Sequence, residues 1–188
     1  MLAPSYKKVS IPVDVQKILC EWYATLYKRN KKDVKACMEM IMNQHARLQI
    51  GNEIFGSKVA GRHENNAVIL AKWKAFRDGT SDIYPKEVQY YFEHTLTLSN
   101  GPRTHLLAYV KWYKNAPSSS IRFKHKFMGP EVSNIELWKE EYYEEGQDSI
   151  IAVHRIYGRA IKIDYRVGNK NNKKNYVSII PLNRRFNV

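Results

Sequence analysis

The stretch VQYYFEHTLTL, residues 88–98, decides the fold class of this chain. Apolar and aromatic side chains recur there at every second position, which is the pattern of a β-strand with one buried face. Tyr91 and Glu93 fall on the opposite face and are expected to point outward. The side chains predicted to share the core face are Val88, Tyr90, Phe92, His94, Leu96 and Leu98.

The residues that follow predict a β-hairpin. Asn100-Gly101-Pro102 is a turn sequence, and Leu106–Tyr113 is a second run of strand-forming residues. His94 and His105 are then placed to face each other across the hairpin. Two imidazoles can bind a metal, but the sequence presents no third ligand. We therefore expect cross-strand packing, no metal and no cofactor.

Further short strands are predicted on both sides of the hairpin, separated by frequent turns. This organisation is typical of a small antiparallel β-barrel, because closing the sheet removes its exposed edges. The predicted strands lie at 67–75, a basic segment at 121–127, 149–154, 159–167 and 176–182.

Helical periodicity is confined to two regions. Residues 13–29 carry apolar side chains from Val15 to Leu26 at the spacing of one helix face, and residues 33–49 carry a second such stripe. The acidic segment 131–146 is predicted to be a helical insert. The expected fold class is α+β, with an N-terminal arm and helical hairpin in residues 1–49 and a β-barrel domain in residues 50–188.

Composition favours a folded protein. The chain has 188 residues, of which 44% are hydrophobic, which is enough for a core. It contains no apolar run of the roughly 20 residues that a membrane span needs, so we expect a soluble, nuclear or otherwise intracellular protein. Cys20 and Cys37 match no zinc or redox spacing and are predicted to be small buried side chains.

The charge is strongly positive and unevenly distributed. The formal net charge is +13 and the isoelectric point is about 9.7. Residues 131–148 hold seven acids and one base, a balance of −6, so the remaining residues carry +19. Such a field attracts polyanions, of which nucleic acid is the commonest and an anionic membrane the second. We expect DNA as the partner, with RNA as an alternative, and no membrane.

The basic residues concentrate in predicted loops. The cluster Lys28-Arg29-Asn30-Lys31-Lys32 is either a corner that contacts phosphates or a solvated turn. The residues predicted to bind nucleic acid are Lys28, Arg29, Lys31, Lys32, Arg122, Lys124, Lys126, Lys170, Lys173, Lys174, Arg184 and Arg185.

The sequence carries no recognisable catalytic motif: it has no phosphate-binding glycine loop and no nucleophile elbow. A metal-dependent nuclease is the enzymatic alternative, with Glu136, Glu140 and Glu144 on one helix face and Glu93 and Asp164 on strands. A two-metal site needs carboxylates that converge from different elements, which one helix face rarely provides. We therefore expect a non-enzymatic protein with no catalytic residues.

Three blocks of sequence resemble the bromo-adjacent homology (BAH) domain. They are VQYYFEHT at 88–95, LLAYVKWY at 106–113, and NIELW at 134–138 followed by SIIAVHRIYGRA at 149–160. The resemblance covers roughly residues 85–167. It implies a BAH-like barrel core, similar to SH3 barrels, and a role in chromatin.

A longer stretch, from RLQIGNEIFGS at 47–57 to IPLNRRF at 180–186, is similar to the C-terminal region of transposon-encoded proteins of fungi. In those proteins this region follows a catalytic transposase domain, which this chain has no room to contain. The similarity implies a transposon-derived module that has been detached from its catalytic domain.

The BAH resemblance also implies a candidate aromatic cage for a methylated lysine. Trp112 matches the strand-end tryptophan that reader members of the family use, and Tyr91, Tyr113 and Glu93 are candidates to complete the cage. The alternative is that Trp112 is a core residue. The resulting hypothesis is a non-catalytic nucleic-acid or chromatin-binding module of low sequence specificity; the alternatives are a histone-tail reader and the nuclease.

Overall fold

The computed structural model describes residues 6–74, 81–122, 135–167 and 174–182, with the backbone alone described at 63–65, 73–74, 81–82, 120, 122 and 167. This part of the chain is α+β, and nine of its strands form one antiparallel sheet. The helices are α1 Val13–Tyr27, α2 Lys31–Cys37 and α3 Ser119–Arg122, with 3-10 helices at Lys58–Asn66, Gln147–Ser149 and Val153–Arg155. The strands are β1 Tyr6–Ser10, β2 Ile41–His45, β3 Leu48–Ile50, β4 Glu53–Phe55, β5 Val68–Lys74, β6 Ser81–Leu98, β7 Gly101–Asn115, β8 Glu136–Tyr142, β9 Ile150–Ala152, β10 Ile156–Val167 and β11 Lys174–Pro181.

The hairpin β6–β7 is the centre of the sheet, as the opening stretch predicts. Its strands pair from Lys86 and Trp112 to Leu98 and Gly101, and they are joined by a two-residue turn. Gly101 follows that turn with φ of +105°, a conformation that only glycine adopts without strain. The predicted strands at 67–75, 159–167 and 176–182 are confirmed as β5, β10 and β11.

A β-bulge in β6 divides the hairpin into two halves. Val88 pairs with Val110, but Tyr90 already pairs with Tyr109, so Gln89 is an extra residue on β6. The inserted residue reverses the alternation, and the prediction that Val88 shares a face with Tyr90 is wrong for this reason. The prediction that Tyr91 points outward is wrong as well, since both faces of this sheet are covered and Tyr91 is fully buried.

On one side of the bulge, six strands pair in a closed circuit. β6 pairs with β5, β5 with β10, β10 with β11, β11 with β8, β8 with β7, and β7 again with β6. All six strands contribute to a single apolar cluster around Trp138, which is 1% exposed. Its other members are Val68, Leu70, Ile83, Tyr84, Tyr113, Tyr142, Ala160, Val177 and Ile179.

On the other side of the bulge, β6 and β7 belong to a part of the sheet that does not close on itself, and α1 packs on one of its faces. The helix buries Val15, Leu19 and Tyr23 against Phe92, Leu96 and Leu107. Leu26, which the helical pattern places on the apolar face, is 50% exposed, and Tyr23 takes the buried position instead. β1, the predicted extended arm, pairs with β2 and enlarges this open half of the sheet.

The second predicted helix is wrong beyond Cys37. α2 ends there, and the residues up to Ile50 form β2 and β3. Val34, Met38 and Met42, which suggested one helical stripe, are all buried, but Met42 is buried as part of a strand. Backbone pairing of β2 with both β1 and β6 outweighs the local helical pattern.

The prediction of an acidic helical insert at 131–146 is also wrong where the structure describes it. β8 occupies Glu136–Tyr142, pairs with β7 and β11, and buries Leu137 and Trp138 on opposite faces. The predicted strand at 121–127 begins instead in α3, and its residues 123–127 lie outside the described residues. At 149–154, only β9 is strand, and a 3-10 turn follows it.

Candidate nucleic-acid interface

The link between α1 and α2 forms an exposed basic corner. α1 ends as Lys28 adopts a left-handed conformation, with φ 51° and ψ 45°, and its N–H donates to the carbonyl of Ala24. The side chain of Asn30 then accepts the N–H of Lys32 at 3.0 Å and caps α2. These two caps fix a short turn in which the predicted residues Lys28, Arg29, Lys31 and Lys32 are all exposed.

Two grooves flank the packed helices and meet at one ion pair. Lys31 Nζ lies 2.7 Å from Glu21 Oε1, and both residues line both grooves. The first groove, of about 430 Å³, lies between α1 and α2 and is lined by Val13, Gln16, Lys17, Cys20, Glu21, Lys31, Lys32, Lys35 and Met38. The second, of about 400 Å³, is lined by Glu21, Ala24, Thr25, Arg29, Asn30, Lys31 and Gln147.

The charges of these grooves are unbalanced. Together they are lined by five cations and a single carboxylate, that of Glu21. Among the described side chains, Lys28, Arg29 and Lys32 make no ion pair, so their charges face solvent. The six described cations at this place form the basic corner: Lys17, Lys28, Arg29, Lys31, Lys32 and Lys35.

Two carboxylates of the acidic segment form ion pairs with lysines of β7. Glu145 lies 3.3 Å from Lys111 and also accepts a hydrogen bond from Tyr109, and Glu141 lies 3.2 Å from Lys114. The acidic segment, which begins in β8 and continues beyond it, therefore pairs two of its carboxylates with lysines of β7, whereas the described carboxylate that pairs with the basic corner is Glu21. The acidic segment also passes beside α1, where Gln147 Oε1 accepts a hydrogen bond from Thr25 at 3.0 Å.

The other predicted phosphate contacts are not brought to this corner by described side chains. Lys174 is exposed at the start of β11, and Arg122 ends α3 with only its backbone described. The predictions for Lys124, Lys126, Lys170, Lys173, Arg184 and Arg185 lie outside the described residues. Lys17 and Lys35, which the sequence did not single out, join the corner because α1 and α2 pack together.

The four cage candidates do not form an open aromatic cage. Tyr91, Trp112 and Tyr113 are each at most 5% exposed, and Tyr113 packs in a different cluster from Tyr91 and Trp112. Glu93 accepts a hydrogen bond from Asn43 at 3.4 Å. Successive residues of a strand face opposite sides, which separates Tyr113 from Trp112.

One face of Trp112 is occupied by the protein's own Lys86. The Lys86 Nζ lies 3.2 Å from the centroid of the indole, whose Nε1 donates to the carbonyl of Asp148 at 2.8 Å. Lys86 is fully buried, and no described group forms a hydrogen bond with its amine. Burial and the charge of Arg155 hold the Lys86 pKa well below its usual range, against an opposing effect of Asp148. Sequence reasoning missed this residue because it began the strand at Val88.

The two histidines of the hairpin are register partners, as predicted, and both lie beneath α1. Tyr23 packs against both imidazoles, and Tyr27 Oη makes a 2.8 Å hydrogen bond with His105 Nε2. Burial lowers the pKa of both His94 and His105. The predicted pairing of His94 with His105 across the hairpin is therefore confirmed, and both rings pack on Tyr23.

The carboxylates of the nuclease alternative do not assemble a metal site in the described residues. Glu136 and Glu140 lie on a strand instead of one helix face, and Asp164, 72% exposed at its side chain, pairs with Lys162 at 3.6 Å. No group of three or more His, Cys, Asp or Glu side chains could hold a metal ion in this part of the chain.

Within the ranges that the structure describes, no helix has the length and apolar character needed to cross a membrane. Cys20 and Cys37 are free thiols; Cys20 is buried and Cys37 is partly buried. Comparison of the chain with known protein families, with curated proteins and with solved structures found no match.

Proposed function

We propose that this protein is a non-catalytic nucleic-acid-binding module with low sequence specificity, and that the basic corner contacts the phosphates. The observation that carries the proposal is the charge imbalance of the two grooves, with five cations and one carboxylate. Cations that face solvent without a protein partner can exchange their counterions for phosphates, and this exchange supplies most of non-specific affinity.

DNA is the partner that we propose first, with RNA as the alternative. Phosphate contacts carry no sequence information, and base edges are read by an element that enters a groove of the duplex. α1 is packed on the sheet through Val15, Leu19 and Tyr23, and α2 has seven residues. Low sequence specificity follows from this arrangement.

We further propose that the closed circuit of six strands is a small β-barrel of the SH3-like or BAH-like kind, with α1 and α2 as its helical extension. The shared cluster around Trp138, to which all six strands contribute, supports a barrel interior. A chromatin or mobile-element setting, and with it a nuclear location, extends this proposal. A methyl-lysine reader has less support, because Lys86 occupies one face of Trp112.

A salt titration tests the proposal. Duplex DNA binding should weaken as salt rises, with a log–log slope of about −0.9 for each phosphate contacted. The variant Lys28→Gln/Arg29→Gln/Lys32→Gln should lose affinity at low salt and give a shallower slope. The control variant Lys72→Gln/Arg103→Gln/Arg166→Gln removes three exposed cations from β5, β7 and β10 and should bind almost as the original chain does.

The two variants have the same net charge, so a general electrostatic effect would lower the DNA affinity of both variants equally. Equal loss of affinity would show that the basic corner is not the binding surface. A flat salt dependence of the unmodified chain would overturn the proposal of nucleic-acid binding itself.

A further inference from the structure

The groove between α1 and α2 combines its lysines with an apolar floor. Cys20 and Met38, each less than a tenth exposed, form that floor, and Val13, which is 77% exposed, is its most accessible apolar wall. Lys17, Lys32 and Lys35 are the cations around it that lack an ion pair among the described residues. A surface that only contacts phosphates does not need the apolar part.

The size of the groove fits one nucleotide unit. Its volume of about 430 Å³ lies within the range of sites that bind small organic molecules. The apolar floor offers van der Waals contact to a flat ring, and the lysines offer charge to the phosphates on either side of it. An anion with an aromatic ring therefore matches the chemistry of the groove better than phosphate alone.

Only an unpaired base can present its ring to such a floor. In a duplex the faces of the bases are stacked on one another, and proteins reach only the base edges in the grooves. In a single strand, the bases can turn out and pack their faces on protein side chains, most often on aromatic rings; in this groove Val13, Cys20 and Met38 offer van der Waals contact in place of an aromatic ring. The duplex would thus leave the floor of the α1–α2 groove unfilled.

The polar side chains of the lining other than lysine are already engaged. Gln16 Nε2 donates to the carbonyl of Ile11 at 2.7 Å, and Glu21 holds Lys31. These bonds hold both side chains toward the protein, and the lysines contact phosphates, which RNA and DNA share, rather than a ribose 2′-hydroxyl, the group that distinguishes RNA from DNA. The groove therefore offers no reason for RNA to be preferred.

We propose that the α1–α2 groove binds a base of single-stranded DNA, with Lys17, Lys32 and Lys35 contacting the neighbouring phosphates. This inference rests on the proposed nucleic-acid binding and adds the form of nucleic acid that is preferred. It makes Val13, Cys20 and Met38 contact residues for the base.

Fluorescence anisotropy with the full chain tests this preference. Labelled single-stranded DNA, duplex DNA and single-stranded RNA, matched in number of phosphates, are titrated at one salt concentration. We expect single-stranded DNA to bind about fivefold or more tightly than duplex DNA, since base packing is added to phosphate contact. A single-stranded DNA with abasic sites has the same phosphates but no bases, and it should lose most of this advantage.

Two matched variants test whether the preference for single-stranded DNA arises at the α1–α2 groove. Val13→Gln introduces a polar side chain at the accessible wall of the groove, and Val59→Gln makes the same change at a valine that is 51% exposed in the 3-10 helix Lys58–Asn66. Val13→Gln should weaken single-stranded DNA binding about threefold or more while duplex binding changes little. Val59→Gln should leave both unchanged.

Three results would overturn the inference. They are duplex DNA binding as tightly as the single strand, RNA binding more tightly than DNA, and the abasic strand binding as tightly as the intact one. In each case nucleic-acid binding through the basic corner would stand. Loss of binding to all three probes would instead overturn the proposed function, and the inference with it.

Discussion

The hydroxyl of Tyr23 on α1 lies 2.8 Å from Nδ1 of His94 on β6, and His94 Nε2 lies 2.8 Å from the carbonyl oxygen of Glu39. Because a carbonyl oxygen can only accept, Nε2 carries the proton of the neutral imidazole and Tyr23 donates to Nδ1. The two hydrogen bonds connect α1, the central hairpin and the segment between α2 and β2. The helices that carry the basic corner are thereby anchored to the sheet.

Removal of the Tyr23 hydroxyl should destabilise the protein. Tyr23→Phe leaves Nδ1 of buried His94 without its donor, which typically costs about 1 to 3 kcal/mol in the free energy of unfolding. Tyr27→Phe removes the comparable bond to His105, which is only partly buried, and should cost less. Urea denaturation of both variants measures the difference. A larger loss for Tyr27→Phe would contradict the role given to Tyr23.

Acid should weaken the anchoring of α1. Burial lowers the pKa of His94 and His105 below the ordinary 6.5, so the folded state keeps both rings neutral where the unfolded state begins to take up protons. Their contribution is complete above pH 6.5 and is lost as the pH falls from 6.5 through the lowered values. Urea denaturation across this range should show a decline in stability that His94→Gln reduces. An unchanged decline in His94→Gln would contradict this assignment.

Replacement of Lys86 by an apolar residue should stabilise the protein. The buried amine has no hydrogen-bond partner among the described groups, and relief of such a burial is worth about 1 to 3 kcal/mol. The folded pKa is lowered, so the unfolded state binds the extra proton and the stability of the unmodified chain rises with pH up to about 10.5. Lys86→Met should remove this rise. Lys72→Met, at an exposed position of β5, is the control. It should change neither the free energy of unfolding nor its rise with pH.

Thermal denaturation distinguishes the buried and exposed sides of α1. Leu19 is fully buried against the sheet, and Leu19→Ala should cost about 2 to 5 kcal/mol. Leu26→Ala, at the half-exposed position that the helical pattern assigned to the core, should cost well under half of that. Equal costs would show that Leu26 is buried after all.

The candidate site was predictable in part. A run of five residues with four cations between two helical patterns indicated an exposed corner, and the structure places Lys28, Arg29, Lys31 and Lys32 there. The grooves beside it were not predictable, because Lys17 and Met38 are far apart in sequence and meet only when α1 packs on α2. The cage hypothesis failed for a related reason: strand position alone does not show that Lys86 covers Trp112.

By itself, the sequence determined the central hairpin, α1 and the strands β5, β10 and β11, because runs of strand-forming residues bounded by turns, and helical spacing of apolar residues, are local signals. The tertiary structure decided the rest. Met42 and Trp138 belong to strands because pairing with β1 and β11 satisfies their backbone hydrogen bonds, and one inserted residue, Gln89, reverses which side chains of β6 enter each core. Such choices depend on partners distant in the chain, and local periodicity holds no information about them.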